Sequence, residues 1–210
     1  MNSDGSINVI WSDFGGVLTS PVAPTMEAFC RRRGISREKL LKAMMDIARE
    51  LGVDDPMEPI DRPLISENIW LRRLEKLIDV VLPSETLAEV WFKDRSINKK
   101  WCDELSSLRR QGYFIGMLSN MPPAWDAYWR KMVNPNDLFD YVILSHEFEL
   151  RKPERNFFLI AEMIADSRFC RNILIDDLEK NCEGARAAGW EAVHFVSTEQ
   201  AIMDLHSLIG

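Results

Sequence analysis

Four polar stretches of this sequence each stand at the end of a short apolar run. Asp13 closes Asn8-Val9-Ile10-Trp11-Ser12, and Ser119-Asn120 closes Tyr113-Phe114-Ile115-Gly116-Met117-Leu118. Ser145 closes Tyr141-Val142-Ile143-Leu144, and Asp176-Asp177 closes Asn172-Ile173-Leu174-Ile175. Lys152 lies in the loop that follows the third run. Brought to one edge, these carboxylates would repel one another, and one would hold a proton unless a cation joined them. Mg²⁺, a hard cation that takes oxygen ligands, removes that conflict. Asp13 is then an ionised nucleophile able to attack phosphorus and form an aspartyl-phosphate. Lys152, the Ser119 hydroxyl and the Gly15-Gly16 backbone amides are the donor types that stabilise transferring phosphoryl oxygens.

The apolar runs are short and rich in β-branched and aromatic residues, so they read as buried strands. A fifth, Ala192-Val193-His194-Phe195, follows Gly189, which suits a helix C-cap. Helical patterns fill the gaps at residues 99–111, 123–133, 154–165 and 179–188. Alternation of this kind predicts an α/β fold, a Rossmann-like parallel sheet covered on both faces. Ligands of such sheets bind beyond the carboxyl ends of the strands, where the polar residues fall. Residues 21–97 hold no convincing strand. Helices are expected there at 23–33, 37–50, 67–80 and 85–93, with Ser36, Ser66 and Ser84 as N-caps and Pro56, Pro59 and Pro63 breaking the middle. The two adjacent glycines after Asp13 signal a tight turn or a close approach to a ligand.

Composition narrows the classes of function. The formal net charge is −7, which argues against nucleic acid or anionic lipid as partner. No stretch of 18 apolar residues suggests a membrane span, and Met1 to Asn8 does not read as a secretory leader. The four cysteines, Cys30, Cys102, Cys170 and Cys182, have no CxxC spacing and fit reduced thiols of a cytoplasmic protein.

The motifs, taken together, resemble those of the haloacid dehalogenase-like (HAD) hydrolase superfamily. Asp13-Phe14-Gly15-Gly16-Val17-Leu18-Thr19 is similar to its first motif, and Leu118-Ser119-Asn120 to its second. Lys152-Pro153 with Phe158 is similar to the third, and Ile175-Asp176-Asp177 with Asn181, Ala185 and Gly189 to the fourth. The order is the superfamily's order. The resemblance implies a core at residues 1–20 and 97–210 and an inserted type-1 α-helical cap at 21–96. It implies Asp13 as nucleophile and metal ligand, Gly15 as a carbonyl ligand, and Asp177 as a direct ligand supported by Asp176. Ser119, Asn120 and the Gly15-Gly16 amides would hold the transferring group, and Lys152 would neutralise Asp13 and the phosphoryl oxygens.

One position departs from the pattern. Phosphatases of the superfamily carry a second aspartate two residues after the nucleophile, which protonates the leaving group and activates water. Here Gly15 stands there. A general acid contributes roughly 10²–10⁴-fold in rate. Dehalogenase relatives carry an aromatic residue at this position and no magnesium site. Phosphonatase relatives carry alanine and use a cap lysine, for which Lys39, Lys42 and Lys76 are available. A response-regulator receiver places its acidic pair at the first strand, not the fourth.

The expected function is hydrolysis of a small phosphorylated metabolite, favouring acyl or aryl phosphates as good leaving groups. A regulatory module that kept the fold and lost turnover is the alternative, as is a phosphotransferase. His146, Glu147 and His194 read as ordinary loop and strand residues rather than replacement bases. Trp125 and Trp129 read as packing residues, and Met26, Met44 and Met45 as insertion core.

Overall fold

The computed structural model describes residues 8–82, 87–93, 95–166 and 171–210. Five strands form one parallel sheet in the order β3-β2-β1-β4-β5: β1 (Asn8–Ser12), β2 (Phe114–Ser119), β3 (Tyr141–Leu144), β4 (Arg171–Asp176) and β5 (Glu191–His194). β1 sits at the centre between β2 and β4, in register with Ile10 opposite both Ile115 and Ile173. Its side chains alternate between two apolar layers. Ile10 packs with Ile115, Met117 and Ile175 on one face, while Val9 and Trp11 pack with Leu118, Phe157, Phe158 and Trp190 on the other. Burial on both faces explains the apolar runs at the middle of the central strands β1, β2 and β4.

Helices α1 (Val22–Arg33), α2 (Arg37–Glu50), α3 (Glu58–Asp61), α4 (Glu67–Ile78) and α5 (Leu87–Phe92) separate β1 from β2. Ser36 and Ser66 cap α2 and α4 as expected, accepting from the amides of Lys39 and Ile69. The expected N-cap Ser84 lies outside the described residues. Helix α4 stops at Ile78, two residues earlier than its apolar pattern suggests, because Asp79 turns left-handed with φ 55°. The chain enters and leaves this helical insertion side by side. Thr19 and Ile97 form an antiparallel bridge, and the Ser20 amide donates to the Ser96 carbonyl at 2.9 Å.

After the insertion come α6 (Lys99–Arg110), α7 (Asp126–Met132), α8 (Pro135–Leu138), α9 (Ser145–Phe148), α10 (Arg155–Ile164), α11 (Glu179–Ala188) and α12 (Thr198–Ile209). Gly189 ends α11 with φ 99°, as its C-cap role requires. Helix α12 is absent from the sequence reading. A capping box, Ser197 with Gln200, starts it, and Ala201, Leu205 and Ile209 bury one face. Among the described residues, no helix is long and apolar enough to cross a membrane.

Candidate active site

The carboxyl ends of β1, β2 and β4 deliver Asp13, Ser119 and Asp176-Asp177 to one edge of the sheet, and the loop after α9 brings Lys152 to it. The Lys152 ammonium, fully buried, lies 2.7 Å from Asp13 Oδ1 and 2.6 Å from Asp176 Oδ2. The Ser119 hydroxyl donates to the same Asp13 Oδ1 at 3.0 Å. Among the described residues no hydrogen bond reaches Asp13 Oδ2, and Asp13, Gly15, Ser119, Lys152 and Asp177 all line one cavity of about 270 Å³. A larger apolar cleft of about 840 Å³ between α4 and Pro122–Ala124 touches none of these groups.

Asn120 lines the same cavity, but its side chain is committed to the backbone of Lys152. Its side-chain amide donates to the Lys152 carbonyl at 2.9 Å while its Oδ1 accepts from the Lys152 amide at 2.8 Å. It thus clamps the Lys152 loop to the end of β2. Asp176 is also fully engaged. Beside Lys152, its Oδ1 accepts from the Leu178 amide and the Asn181 side chain, each at 2.9 Å, which ties the start of α11 to β4. Gly16 has φ 90°, and a Cβ there would stand 2.2 Å from Asp177 Oδ2, so this glycine lets the carboxylate settle against the backbone. Ser145 does not enter the cavity. Its hydroxyl donates to the Asp61 carbonyl at 2.7 Å and accepts from the Met121 amide at 2.9 Å.

The electrostatics follow from burying three carboxylates around one ammonium. Burial raises the Asp13 pKa, with repulsion from Asp176 adding and Lys152 and Ser119 opposing. Burial, then Asp13 and Asp176, push Asp177 up to about 7. Burial works against the Lys152 ammonium, but Asp13 and Asp176 outweigh it and raise its pKa. The cluster is short of positive charge. Among the described residues no group of three His, Cys, Asp or Glu side chains converges as a complete metal cage. Mg²⁺ does not need one, since one or two carboxylates with water and substrate oxygens are its usual set. Asp13 and Asp177, with Asp176 held behind them by Lys152, match that need.

Several cavity residues carried no signal in the sequence. Arg95, from the segment leading out of the insertion, is 8% exposed and lines the cavity beside Gly15. Arg151 reaches Asp55, Glu58 and Asp61 of the insertion at 3.3, 3.4 and 3.2 Å, and only its place beside Lys152 hints at the site. Trp91 and Trp125 form an apolar wall, their ring centroids 5.3 Å apart. Trp129 packs on Phe14 instead, away from the cavity lining. Lys39 donates to the Ile78 carbonyl, Lys42 pairs with Asp46, and neither these nor Lys76 lines the cavity. His146 contacts the Met121 carbonyl at 2.8 Å, and His194 the Asp177 carbonyl at 3.1 Å.

A central aspartate, a buried lysine and an acidic pair at the carboxyl edge of a five-stranded parallel sheet, with helices inserted after the first strand, define one class of fold. It is the fold shared with solved haloacid dehalogenase-like (HAD) family enzymes. The chain is similar to a predicted HAD-like family hydrolase from Porphyromonas gingivalis, with a TM-score of 0.71 at 22% identity, covering 97% of this chain and 98% of that one. It is also similar to a HAD family enzyme from Bacteroides thetaiotaomicron in complex with magnesium and inorganic phosphate, with a TM-score of 0.62 at 21% identity, covering 89% and 93%.

In sequence it is 29% identical over 106 residues to the sesquiterpene phosphatase astK of Aspergillus oryzae, 50% of this chain and 54% of that protein. It is 27% identical over 155 residues to the ribulose-1,5-bisphosphate 5-phosphatase of Halopiger xanaduensis, 73% of this chain and 57% of that protein. The chain spans little more than half the length of these two curated relatives. No family model matches it.

Proposed function

We propose that this protein is a magnesium-dependent phosphatase acting on a small phosphorylated metabolite through an aspartyl-phosphate on Asp13. The observation that carries this reading is the Asp13 carboxylate: Oδ1 is fixed by Ser119 and Lys152, Oδ2 has no hydrogen-bond partner among the described residues, and Asp13 lines the cavity. Oδ2 attacks phosphorus, the bond from phosphorus to the leaving oxygen breaks, and the electron pair departs with that oxygen. Water then cleaves the acyl phosphate, releasing inorganic phosphate and restoring the carboxylate. Lys152 stays charged throughout and offsets the negative charge on Asp13 and the transferring oxygens. Asp13, the Gly15 carbonyl and Asp177 would hold Mg²⁺, with Asp176 supporting, and the ion would neutralise phosphoryl charge. The Gly15-Gly16 amides and Ser119 hydroxyl are the other phosphoryl donors, and Asn120 contributes by holding Lys152 in place.

Two named phosphatases among the relatives and the magnesium and phosphate complex of a structural neighbour support the same reading. We read the helical insertion at 21–96 as a cap over the core of 1–20 and 97–210, since it supplies Val22, Met57 and Trp91 to the cavity wall. The cavity of about 270 Å³ suits a small substrate. The free thiols of Cys30, Cys102 and Cys182 fit a cytoplasmic setting.

The test is a panel of phosphoesters, acyl phosphates and phosphonates with Mg²⁺, run beside Asp13→Asn. Turnover that depends on both Mg²⁺ and Asp13, and is fastest on acyl and aryl phosphates, is expected. Hydrolysis that survives Asp13→Asn would overturn the reading. A second reading, a binding module or phosphotransferase with impaired hydrolysis, is favoured by Gly15 alone. Tight binding of a beryllium fluoride mimic without turnover on the whole panel would select it.

A further inference from the structure

The geometry points to Arg95 as a phosphoryl-binding residue of this site, its guanidinium bordering the room that Gly15 leaves beside Asp13. This inference rests on the phosphatase reading of the same site and adds a residue to it.

Three observations carry it. A Cβ built on Gly15 would lie 3.8 Å from Arg95 Nη1 and 3.9 Å from Asp13 Oδ2. The guanidinium and the unpartnered oxygen of Asp13 therefore border one small empty space, yet they form no ion pair with each other. Arg95 is more than nine-tenths buried, and only Nη2 is committed, donating to the Ser20 carbonyl at 3.0 Å. Among the described residues Nη1 makes no hydrogen bond, and Nε is buried without a partner. A buried guanidinium with open donors is costly unless something anionic completes it.

The cavity charge supports the same assignment. Burial lowers the Arg95 pKa to about 10, with Asp13 and Asp177 opposing, so the group is charged at neutral pH. Its attraction to both carboxylates without contact leaves a gap between cation and nucleophile, which a phosphoryl group would fill. Nη1 and the second N–H of Nη2 form a pair of parallel donors of the kind with which a planar guanidinium meets phosphoryl oxygens, which a lysine cannot do. The Trp91 ring, its centroid 5.8 Å from the Arg95 guanidinium carbon, braces the group from the insertion side. Arg95 leaves the insertion next to the bridge between Thr19 and Ile97, so its position ties the cavity to the junction itself.

The experiment measures binding of inorganic phosphate, in the presence of Mg²⁺, to the full chain and to Arg95→Gln, Arg95→Lys and Asp13→Asn by isothermal titration calorimetry. Arg95→Gln is expected to weaken phosphate binding about 10-fold or more, the scale of a hydrogen bond to a charged group. Arg95→Lys should fall between the two, and Asp13→Asn should still bind phosphate while losing turnover. In parallel, the Arg95 Nε–H resonance of the unmodified protein should shift on adding phosphate, a readout that holds even if a variant fails to fold. Phosphate affinity of Arg95→Gln equal to that of the unmodified protein, or an unmoved Nε–H resonance at saturation, would overturn the assignment. Asp13-independent turnover with phosphate affinity still sensitive to Arg95 would instead refute the nucleophile and leave the anion site standing.

Discussion

Gly16 and Asp177 meet so closely that the α-carbon of one forms the floor under the carboxylate of the other; a Cβ on residue 16 would lie 2.2 Å from Asp177 Oδ2 and 2.7 Å from its Cγ. The glycine also holds φ 90°, a conformation that costs an L side chain roughly 1–2 kcal/mol. Gly16→Ala should therefore displace Asp177 and change the loop at once. The expected result is a fall in turnover far larger than the fall in melting temperature, with weaker Mg²⁺ dependence. Kinetics across a Mg²⁺ titration check this; unchanged Mg²⁺ dependence would show that the Asp177 carboxylate takes no part in holding the ion.

Lys152 is the only described cation in contact with both Asp13 and Asp176. Lys152→Met leaves two buried carboxylates facing each other without it. Removing one partner of a buried pair costs about 3–5 kcal/mol. The sign with pH follows from the carboxylates. Without the ammonium, which opposes it, the rise of the Asp13 pKa above its unfolded value grows, so the loss is largest at high pH and shrinks as acid protonates Asp13. Thermal melts of both proteins from pH 5 to pH 8 should show a gap that widens with pH. A gap that narrows with pH would contradict the arrangement.

Asp61 offers a pH test away from the nucleophile. Burial pushes its pKa up to about 7, Arg151 opposes, and Asp55 and Glu58 add repulsion. The folded value lies above the ordinary 3.8, so the folded state holds a proton that the unfolded state releases between about pH 4 and 7. Stability contributed by this group is present in acid and is lost as pH rises through about 7. Asp61→Asn keeps an acceptor for Arg151 and removes the titration. The melting temperature of the variant minus that of the unmodified protein should grow from pH 5 to pH 8. A difference that stays flat would mean that Asp61 is ionised across that range.

The parts of the site that could be read from the sequence are those where a local pattern and a chemical group coincide. Asp13, Ser119 and Asp176-Asp177 each end an apolar run, and a parallel sheet aligns such ends regardless of the distance between them in sequence. Gly16 was legible as a glycine that a ligand or close contact requires, though not which carboxylate makes that contact. Arg95 was not legible, because it reads as an ordinary charged residue until the fold carries it beside Gly15. Asn120 has the expected position, but its two side-chain bonds to the Lys152 backbone depend on a cross-loop approach that no spacing reveals. Helix α12 did leave a signal, the Ser197 and Gln200 pair, ahead of a periodic apolar face. The strand order needed the structure, since parallel strands of equal apolarity do not declare their neighbours.

The most direct measurement is chemical trapping of the intermediate. The protein is mixed with an acyl phosphate and Mg²⁺, quenched, reduced with borohydride, and mapped by peptide mass spectrometry. An acyl phosphate on Asp13 is reduced to homoserine, so the account predicts homoserine at position 13 and none in Asp13→Asn. Steady turnover with Asp13 intact, or homoserine at another carboxylate, would contradict it.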